Sequence, residues 1–123
     1  MNKIWLKSYP KNIPESIGEL SNSSICDMMK KASYKYSKNI AFTNLNSKLT
    51  YSDVDKYSDN FGAYLQKQLS ISRGSKVAIM LPNLLTYPVT LFGAYKAGAT
   101  VININPLYTV SYTHLRLPTT SPV

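Results

Sequence analysis

The sequence predicts an α/β fold with one βαβ unit at about residues 76–104. Two short apolar runs, 76–81 and 100–104, are nearly uniform in character, which is typical of strands that are covered on both faces. The intervening residues 87–97 suit a helix with Pro88 in its first turn, where the missing N–H of proline costs nothing. Strand, helix and strand in this order predict two parallel strands joined by a crossover helix.

The elements before this unit are predicted in chain order. Residues 1–24 form a polar arm, whose prolines prevent a continuous helix and whose last four residues form a turn that leads into a helix N-cap. Residues 25–37 suit a helix with one apolar face, formed by Ile25, Met28, Met29, Ala32 and Tyr36. Residues 40–45 suit a strand, with 48–50 as its hairpin partner.

A long helix that ends at Leu69 is the clearest element of the sequence. Thr50 and Asp53 have the spacing of a capping box at its start. Apolar residues recur at three- and four-residue steps and predict one buried stripe, formed by Val54, Tyr57, Phe61, Tyr64, Leu65 and Leu69. Gly74 then opens a turn, and Gly98 lies where a helix C-cap requires positive φ.

The charge of the chain is strongly basic but scattered. The formal net charge is +8, from 14 basic and 6 acidic residues, and every acidic residue lies before residue 60. Paired-carboxylate chemistry and carboxylate metal sites are therefore excluded from the second half. Only Lys30 and Lys31 are adjacent and no basic stripe with interleaved aromatics is visible, so we expect no nucleic-acid partner.

Two interpretations of the N-terminal arm remain open. Lys3, Lys7 and Lys11 are four residues apart around Trp5, which fits an anchor at a membrane interface, although three lysines are few and a solvated arm is the simpler interpretation. The sequence has no apolar run long enough to span a bilayer, and none that suits the core of a signal peptide. We expect a cytoplasmic location.

The residues alone reveal no active site. Cys26 is the only cysteine and suits a half-buried position on a helix. His114, the only histidine, follows every carboxylate at a distance and is not expected to be catalytic. The glycines match neither the dinucleotide nor the P-loop pattern, and Thr119-Thr120-Ser121 lacks a glycine that would let amides wrap a phosphate. We predict no catalytic, cofactor-binding or metal-ligating residue in this chain.

Several segments resemble bacterial long-chain fatty-acid–CoA ligases of the adenylate-forming, AMP-binding superfamily. The most specific are residues 74–85, residues 87–94, and residues 97–98 with 103–109, the last of which ends Asn105-Pro106-Leu107-Tyr108-Thr109. The arm at 3–10 and 13–15 and the segments 41–42, 49–51 and 61–66 follow the same family in order. The resemblance divides the chain into an N-terminal arm at 1–24 and the beginning of a truncated AMP-binding domain at 25–109, which is an incomplete N-terminal part of that large domain.

The resemblance implies a two-step reaction for the intact enzyme. ATP with Mg²⁺ converts a fatty acid into an acyl-adenylate and pyrophosphate, and CoA then accepts the acyl group. The family's phosphate loop, adenine motif and ribose-binding acid have no counterpart here, so we expect the fragment to bind no cofactor and to be inactive. The resemblance leaves peripheral contact with the inner membrane and homodimerisation of the intact enzyme open.

Two other interpretations of the function remain. The chain could be a fragment of another adenylate-forming ligase that activates acetate, an aromatic acid or an amino acid, which the residues after Thr109 in the full gene would decide. Alternatively, it could be a stand-alone basic binding module, which predicts a compact domain with a cooperative melt. On the fragment interpretation, the two strands lack covering partners, and the isolated chain should aggregate or stay partly unfolded.

Residues 110–123 form a predicted non-native tail. The family pattern stops at Thr109, and all lysines and asparagines of the chain precede residue 110. The opening of the tail resembles a translated sequencing adapter, since GTC TCT TAT ACA CAT CT encodes Val-Ser-Tyr-Thr-His-Leu, with Arg116 as a departure from the adapter. We therefore expect His114 and Arg116 to have no structural partners.

Overall fold

Helices and strands alternate in the computed structural model as the sequence predicts. The structure describes residues 3–16, 18–19 and 22–107. In chain order its elements are a 3₁₀ helix at Ile4–Ser8, α1 at Ile25–Lys35, β1 at Ile40–Asn44, β2 at Ser47–Thr50, α2 at Tyr51–Gln68, β3 at Lys76–Ile79, α3 at Thr86–Lys96 and β4 at Thr100–Asn103. The predicted α/β fold is confirmed, with boundaries that differ by a few residues. The tail at 110–123, with His114 and Arg116, lies outside the described residues.

Helix α1 begins at the predicted turn. The Ser24 side chain accepts a hydrogen bond of 3.0 Å from the Asp27 N–H, which is N-cap geometry. The predicted apolar face is only partly right, because Met29 is buried but Ile25 and Met28 are about half exposed. Ser33 is buried instead, since its hydroxyl donates to the Tyr51 carbonyl oxygen at 3.2 Å and holds that face of α1 against the start of α2.

Strands β1 and β2 form the predicted antiparallel hairpin. Leu45, expected in the first strand, instead lies in the turn with φ of 50°. The hairpin leads directly into α2, where Thr50 and Asp53 form both hydrogen bonds of the predicted capping box.

Strands β3 and β4 are parallel neighbours, and α3 is the helix between them, so the predicted βαβ unit is confirmed. Gly98 ends α3 with φ of 83°, as its position predicts. The apolar character of the strands predicts cover on both faces, and the described residues cover only one, as expected of strands that lack covering partners in this chain. Ile79 is buried but Ala78 is exposed, because no element of the described chain packs on the second face of the sheet.

The core lies between α3, α2 and the inner face of the sheet. Its buried members are Leu65, Ala94, Ala97 and Ala99, with Phe61, Ile71, Val77 and Val101 packed against them. The predicted stripe of α2 is wrong at Tyr57, Tyr64 and Leu69, which are about half exposed. The buried face instead carries Val54, Ser58, Gly62 and Leu65, because small residues let α3 approach closely.

The described part of the chain contains no helix with both the length and the apolar character needed to cross a bilayer.

Candidate functional site

An open cleft lies at the carboxyl ends of β3 and β4. Because the two strands are parallel, the segments that follow them leave the sheet at the same edge, which is where ligands bind in open α/β sheets. The cleft has a volume of about 560 Å³ and is lined by Ile79, Leu81, Pro82, Asn83, Tyr87, Asn103, Ile104, Asn105, Pro106 and Leu107.

One backbone hydrogen bond and two between side chains and the backbone hold the walls of this cleft. The Ile104 N–H donates to the Ile79 carbonyl oxygen at 2.9 Å and continues the strand pairing beyond β4. The Asn105 side chain accepts from the Leu107 N–H at 2.9 Å, which forms a local turn. The Asn44 amide donates to the Asn83 carbonyl oxygen at 2.6 Å and ties the hairpin to the loop after β3.

The side chains that line the cleft suit ligand binding and not acid–base catalysis. Its polar side chains are three asparagine amides and one tyrosine hydroxyl, and no carboxylate, lysine, arginine or histidine lines it among the described residues. Amides donate and accept hydrogen bonds without titrating, whereas general acid–base catalysis needs a group with a pKa near the working pH. The cleft can therefore hold a partly apolar ligand or another segment of protein, but it carries no acid or base for a reaction at neutral pH.

The start of α3, beside this cleft, is a poor phosphate site. Helix N-termini bind phosphate through free N–H groups of the first turn. Here Pro88 has no N–H, and the Tyr87 N–H already donates to the Leu84 carbonyl oxygen at 3.0 Å. No side chain caps this end of the helix either.

Lys96 links α3 to α2 through an ion-pair cluster. Its Nζ donates to Asp55 Oδ1 at 2.6 Å, to Asp59 Oδ1 at 2.7 Å and to the Asp55 carbonyl oxygen at 3.1 Å. The Lys96 side chain is only 17% exposed. Burial alone would lower the pKa of Lys96, but the hydrogen bonds and charges of Asp55 and Asp59 outweigh it and raise that pKa. Lys96 therefore keeps its charge, and its hydrogen bonds to Asp55 and Asp59 hold the two helices together.

A second, polar cleft of about 590 Å³ lies between α1 and α2, and Asp55, Asp59, Lys30 and Lys56 are among its lining residues. Its two carboxylates are already paired with Lys96. The described residues contain no group of three or more histidine, cysteine or acidic side chains that could hold a metal ion. Cys26 is a free, half-buried thiol on α1, as its position in the sequence predicts.

The prediction that this chain carries no catalytic, cofactor-binding or metal-ligating residue stays a prediction. His114 and Thr119-Thr120-Ser121 lie outside the described residues. Sequence reasoning missed the Lys96 cluster, although Asp55 and Asp59 are four residues apart and so share a face of α2. It also missed the cleft asparagines, for which the signal was the position of Asn83 and Asn105 just after two predicted strands and of Asn103 near the end of the second.

Comparison of the chain with known families identifies one match. The profile of the family described as "AMP-binding enzyme" matches residues 29–117. That range includes the βαβ unit and extends past Thr109 into the predicted non-native tail. The adapter origin proposed for residues 110–123 therefore stays a prediction.

Curated relatives are similar along most of the chain. A long-chain-fatty-acid–CoA ligase of Yersinia pestis is 43% identical over 109 residues, which is 89% of this chain and 19% of the relative. The ligase of the same name from Haemophilus influenzae is 40% identical over 117 residues, 95% of this chain and 21% of the relative. The chain thus spans about a fifth of the length of the curated relatives it matches.

The fold agrees with that of solved structures. The N-terminal subdomain of Klebsiella oxytoca NpsA superposes with a TM-score of 0.71 at 20% identity, over 74% of this chain and 24% of the subdomain chain. At this level of identity the likeness concerns the fold alone. The family profile covers more than half of the chain and agrees with the resemblance inferred from the sequence. The chain belongs to the AMP-binding enzyme family.

Proposed function

We propose that this chain is part of an ATP-dependent long-chain fatty-acid–CoA ligase. The observation that carries the proposal is the 43% identity to the Yersinia pestis ligase over 89% of the chain. The 40% identity to the Haemophilus influenzae ligase supports the same substrate class. The whole protein would convert a fatty acid and ATP into an acyl-adenylate and pyrophosphate, and then transfer the acyl group to the CoA thiol with release of AMP.

That chemistry requires groups that neither the asparagine-lined cleft nor the start of α3 supplies. A carboxylate and a triphosphate repel each other, so their reaction needs donors and a cation aimed at the phosphates. The asparagine-lined cleft has no cationic side chain, and the α3 N-terminus beside it offers few free N–H groups. We therefore derive no catalytic step from this cleft or this helix end, and the absence of a site for ATP, Mg²⁺ or CoA in the chain stays a prediction.

The role we propose for the chain is structural. In the βαβ unit, α3 covers one face of the parallel sheet. The asparagine-lined cleft lies at the carboxyl ends of β3 and β4. Residues that bind ATP, Mg²⁺, CoA and fatty acid would come from the part of the relatives' length that this chain does not span. The proposal includes a cytoplasmic location for the intact enzyme, with peripheral membrane contact, and leaves homodimerisation open.

Inactivity of the 123-residue chain is one test of this role. We expect the purified chain to catalyse no palmitate-dependent ATP–pyrophosphate exchange. The complete Yersinia pestis ligase, assayed in parallel, is the positive control. Exchange above background by the chain would show that it contains an adenylation site of its own and would contradict the structural role.

A chimeric ligase tests directly whether this chain is part of a long-chain fatty-acid–CoA ligase. Residues 3–107 of this chain would replace the equivalent segment of the Yersinia pestis ligase. We expect palmitate–CoA ligase activity to persist, because the aligned segments share 43% of their residues. The equivalent segment of the Haemophilus influenzae ligase is the matched control. An inactive chimera beside an active control would contradict the proposal.

Long-read resequencing of the locus beyond the Thr109 codon decides which class of carboxylic acid the intact enzyme activates. We expect an open frame that continues as a fatty-acid–CoA ligase. A continuation typical of acetate, aromatic-acid or amino-acid activation would replace the long-chain assignment. A stop codon directly after Val123 would contradict the predicted non-native tail.

A further inference from the structure

The loop at 80–85 connects β3 to α3 and forms one wall of the asparagine-lined cleft. The Leu84 N–H donates to the Pro82 carbonyl oxygen at 2.7 Å, which closes a three-residue turn around Asn83. The Tyr87 N–H donates in turn to the Leu84 carbonyl oxygen at 3.0 Å. These bonds are local, so they fix the shape of the loop but not its orientation relative to the rest of the protein.

A side chain of the hairpin fixes this orientation. Asn44 Nδ2 donates to the Asn83 carbonyl oxygen at 2.6 Å, across 39 positions of the chain. Within the described residues, neither β1 nor β2 packs against β3, α3 or β4. A cavity of about 240 Å³ instead lies between the hairpin and the start of α3, beside this hydrogen bond. The Asn44 amide therefore joins the hairpin to the loop at a place where packing does not.

The backbone on both sides of Asn44 holds the donor in place. Asn44 is the last residue of β1, and it pairs with Ser47 of β2. Leu45 then begins the turn with φ of 50°, a conformation that leucine adopts rarely. Such a conformation persists only where the surrounding structure determines it. The tight turn ends β1 at Asn44 and leaves its amide beside the loop.

We propose that Asn44 is a positioning residue, whose amide holds the 80–85 loop in place as a wall of a cleft that receives the uncharged part of a substrate. The inference rests on the proposed ligase function, because that function supplies the substrates. Ligands of open α/β sheets bind at the carboxyl ends of the parallel strands, where this loop begins. The loop acts through its shape, and the groups that hold the substrate come from the rest of the enzyme.

The lining of the cleft restricts which part of a substrate fits. Within the described residues it offers amide, hydroxyl and apolar groups and no cationic side chain. A phosphate or carboxylate group would lack a counter-charge there. Fatty acid and CoA each contain a long uncharged chain, whereas ATP is held chiefly through its phosphates. Displacement of the loop should therefore affect fatty acid or CoA and leave ATP unaffected.

The chimeric ligase that carries residues 3–107 of this chain tests the proposal. Asn44→Ala removes the donor, and Asn44→Asp removes it with little change of side-chain shape. Each should raise the KM for palmitate or for CoA several-fold, as expected for the loss of one hydrogen bond, while kcat and the KM for ATP stay within about twofold. The matched controls Asn46→Ala and Asn46→Asp, at an exposed position of the same turn, should leave all of these constants unchanged.

Hydrogen exchange of the same chimeric proteins measures the loop directly. The peptide that spans residues 80–87 should exchange several-fold faster in both Asn44 variants, because the loop opens more often without its tie to the hairpin. Exchange of α2 should stay the same, which separates movement of the loop from general destabilisation. This measurement does not need an active enzyme.

Three outcomes would overturn the proposal. One is an unchanged KM for both palmitate and CoA in the Asn44 variants, whatever happens to kcat. Another is an equal effect of the Asn44 and Asn46 variants, which would assign the change to the hairpin turn. The third is unchanged exchange of the 80–87 peptide. Inactivity of the chimera before any substitution would instead contradict the proposed function, and the exchange of the loop would still decide whether Asn44 positions it.

Discussion

Gly62 on α2 and Gly93 on α3 face each other across the contact between the two helices. A Cβ atom added to Gly62 would lie 3.0 Å from the Gly93 carbonyl oxygen. A Cβ atom added to Gly93 would lie 2.8 Å from Phe61 Cδ1 and 2.9 Å from the Ser58 carbonyl oxygen. This contact leaves no room for a methyl group, so the pair sets the distance between α2 and the βαβ unit.

We expect Gly93→Ala to loosen the packing of α2 on α3. Overpacking lowers the free energy of unfolding by about 1–3 kcal/mol, and the higher helix propensity of alanine offsets about 1 kcal/mol of this loss. Hydrogen exchange of the α2 and α3 amides, measured in the chain fused after Val123 to a soluble carrier protein, should therefore become several-fold faster. Asn60→Ala, at an exposed position of α2, is the matched control and should not accelerate exchange. Exchange of Gly93→Ala no faster than that of the original chain would contradict the close contact.

We expect Lys96→Met to weaken the same helix pair. The substitution keeps the aliphatic stem and removes the charge, and solvent screening limits the loss to about 1 kcal/mol. Asp55→Asn should cost more than Asp59→Asn, because the Asp55 side chain is 31% exposed and that of Asp59 is 64% exposed. Lys67→Met, at the exposed end of α2, is the control. Hydrogen exchange of the α2 and α3 amides in the same carrier fusion measures the differences, and equal effects of the two lysine variants would contradict the role of the cluster.

The Lys96 cluster should also make stability depend on alkaline pH. Asp55 and Asp59 raise the pKa of Lys96 above its unfolded value, although burial opposes them. Its contribution is therefore complete below the unfolded pKa of about 10.4 and is lost as pH rises through the higher folded pKa. Lys96→Arg keeps its charge in this range and retains every tyrosine, so its alkaline loss of helix signal should be smaller. Identical alkaline curves for the two proteins would rule out the cluster as the cause.

We expect Thr50→Ala to fray the start of α2. Thr50 Oγ1 accepts from the Asp53 N–H at 3.1 Å, and loss of an N-cap costs about 1 kcal/mol. Hydrogen bonds from Thr50 also lower the pKa of Asp53, so the contribution of the Asp53 carboxylate to the box is complete above the unfolded pKa of about 3.9 and is lost as pH falls through the lower folded pKa. Thr50→Ser should retain the cap. Exchange of the first-turn amides measures both effects, and equal exchange in the alanine and serine variants would contradict the capping box.

We expect the 123-residue chain without a carrier to aggregate or to stay partly unfolded. The two-stranded sheet of β3 and β4 has free outer edges within the described chain, and Ala78 and Met80 are exposed beside them. Light scattering after size-exclusion chromatography measures the association. A sharp, reversible melt of a monomer would contradict this expectation and favour a stand-alone basic module.

The sequence by itself determined the local elements of this protein. The Thr50–Asp53 box, Pro88 in a first turn and Gly98 after a helix each depend on backbone geometry within a few residues, and each was predicted correctly. The order of strand, helix and strand was enough to predict parallel pairing, because a short helical crossover permits little else.

Only the tertiary structure decided which faces are buried. Periodicity assigned Tyr57, Tyr64 and Leu69 to the core, but the approach of α3 selects the face that carries Ser58 and Gly62, where small residues permit close contact. The Lys96 cluster and the asparagine-lined cleft likewise depend on residues that are distant in the chain and meet only when α2, α3 and the strands pack together. Local sequence patterns do not predict such long-range contacts, because the packing of the whole chain determines which element covers a helix face.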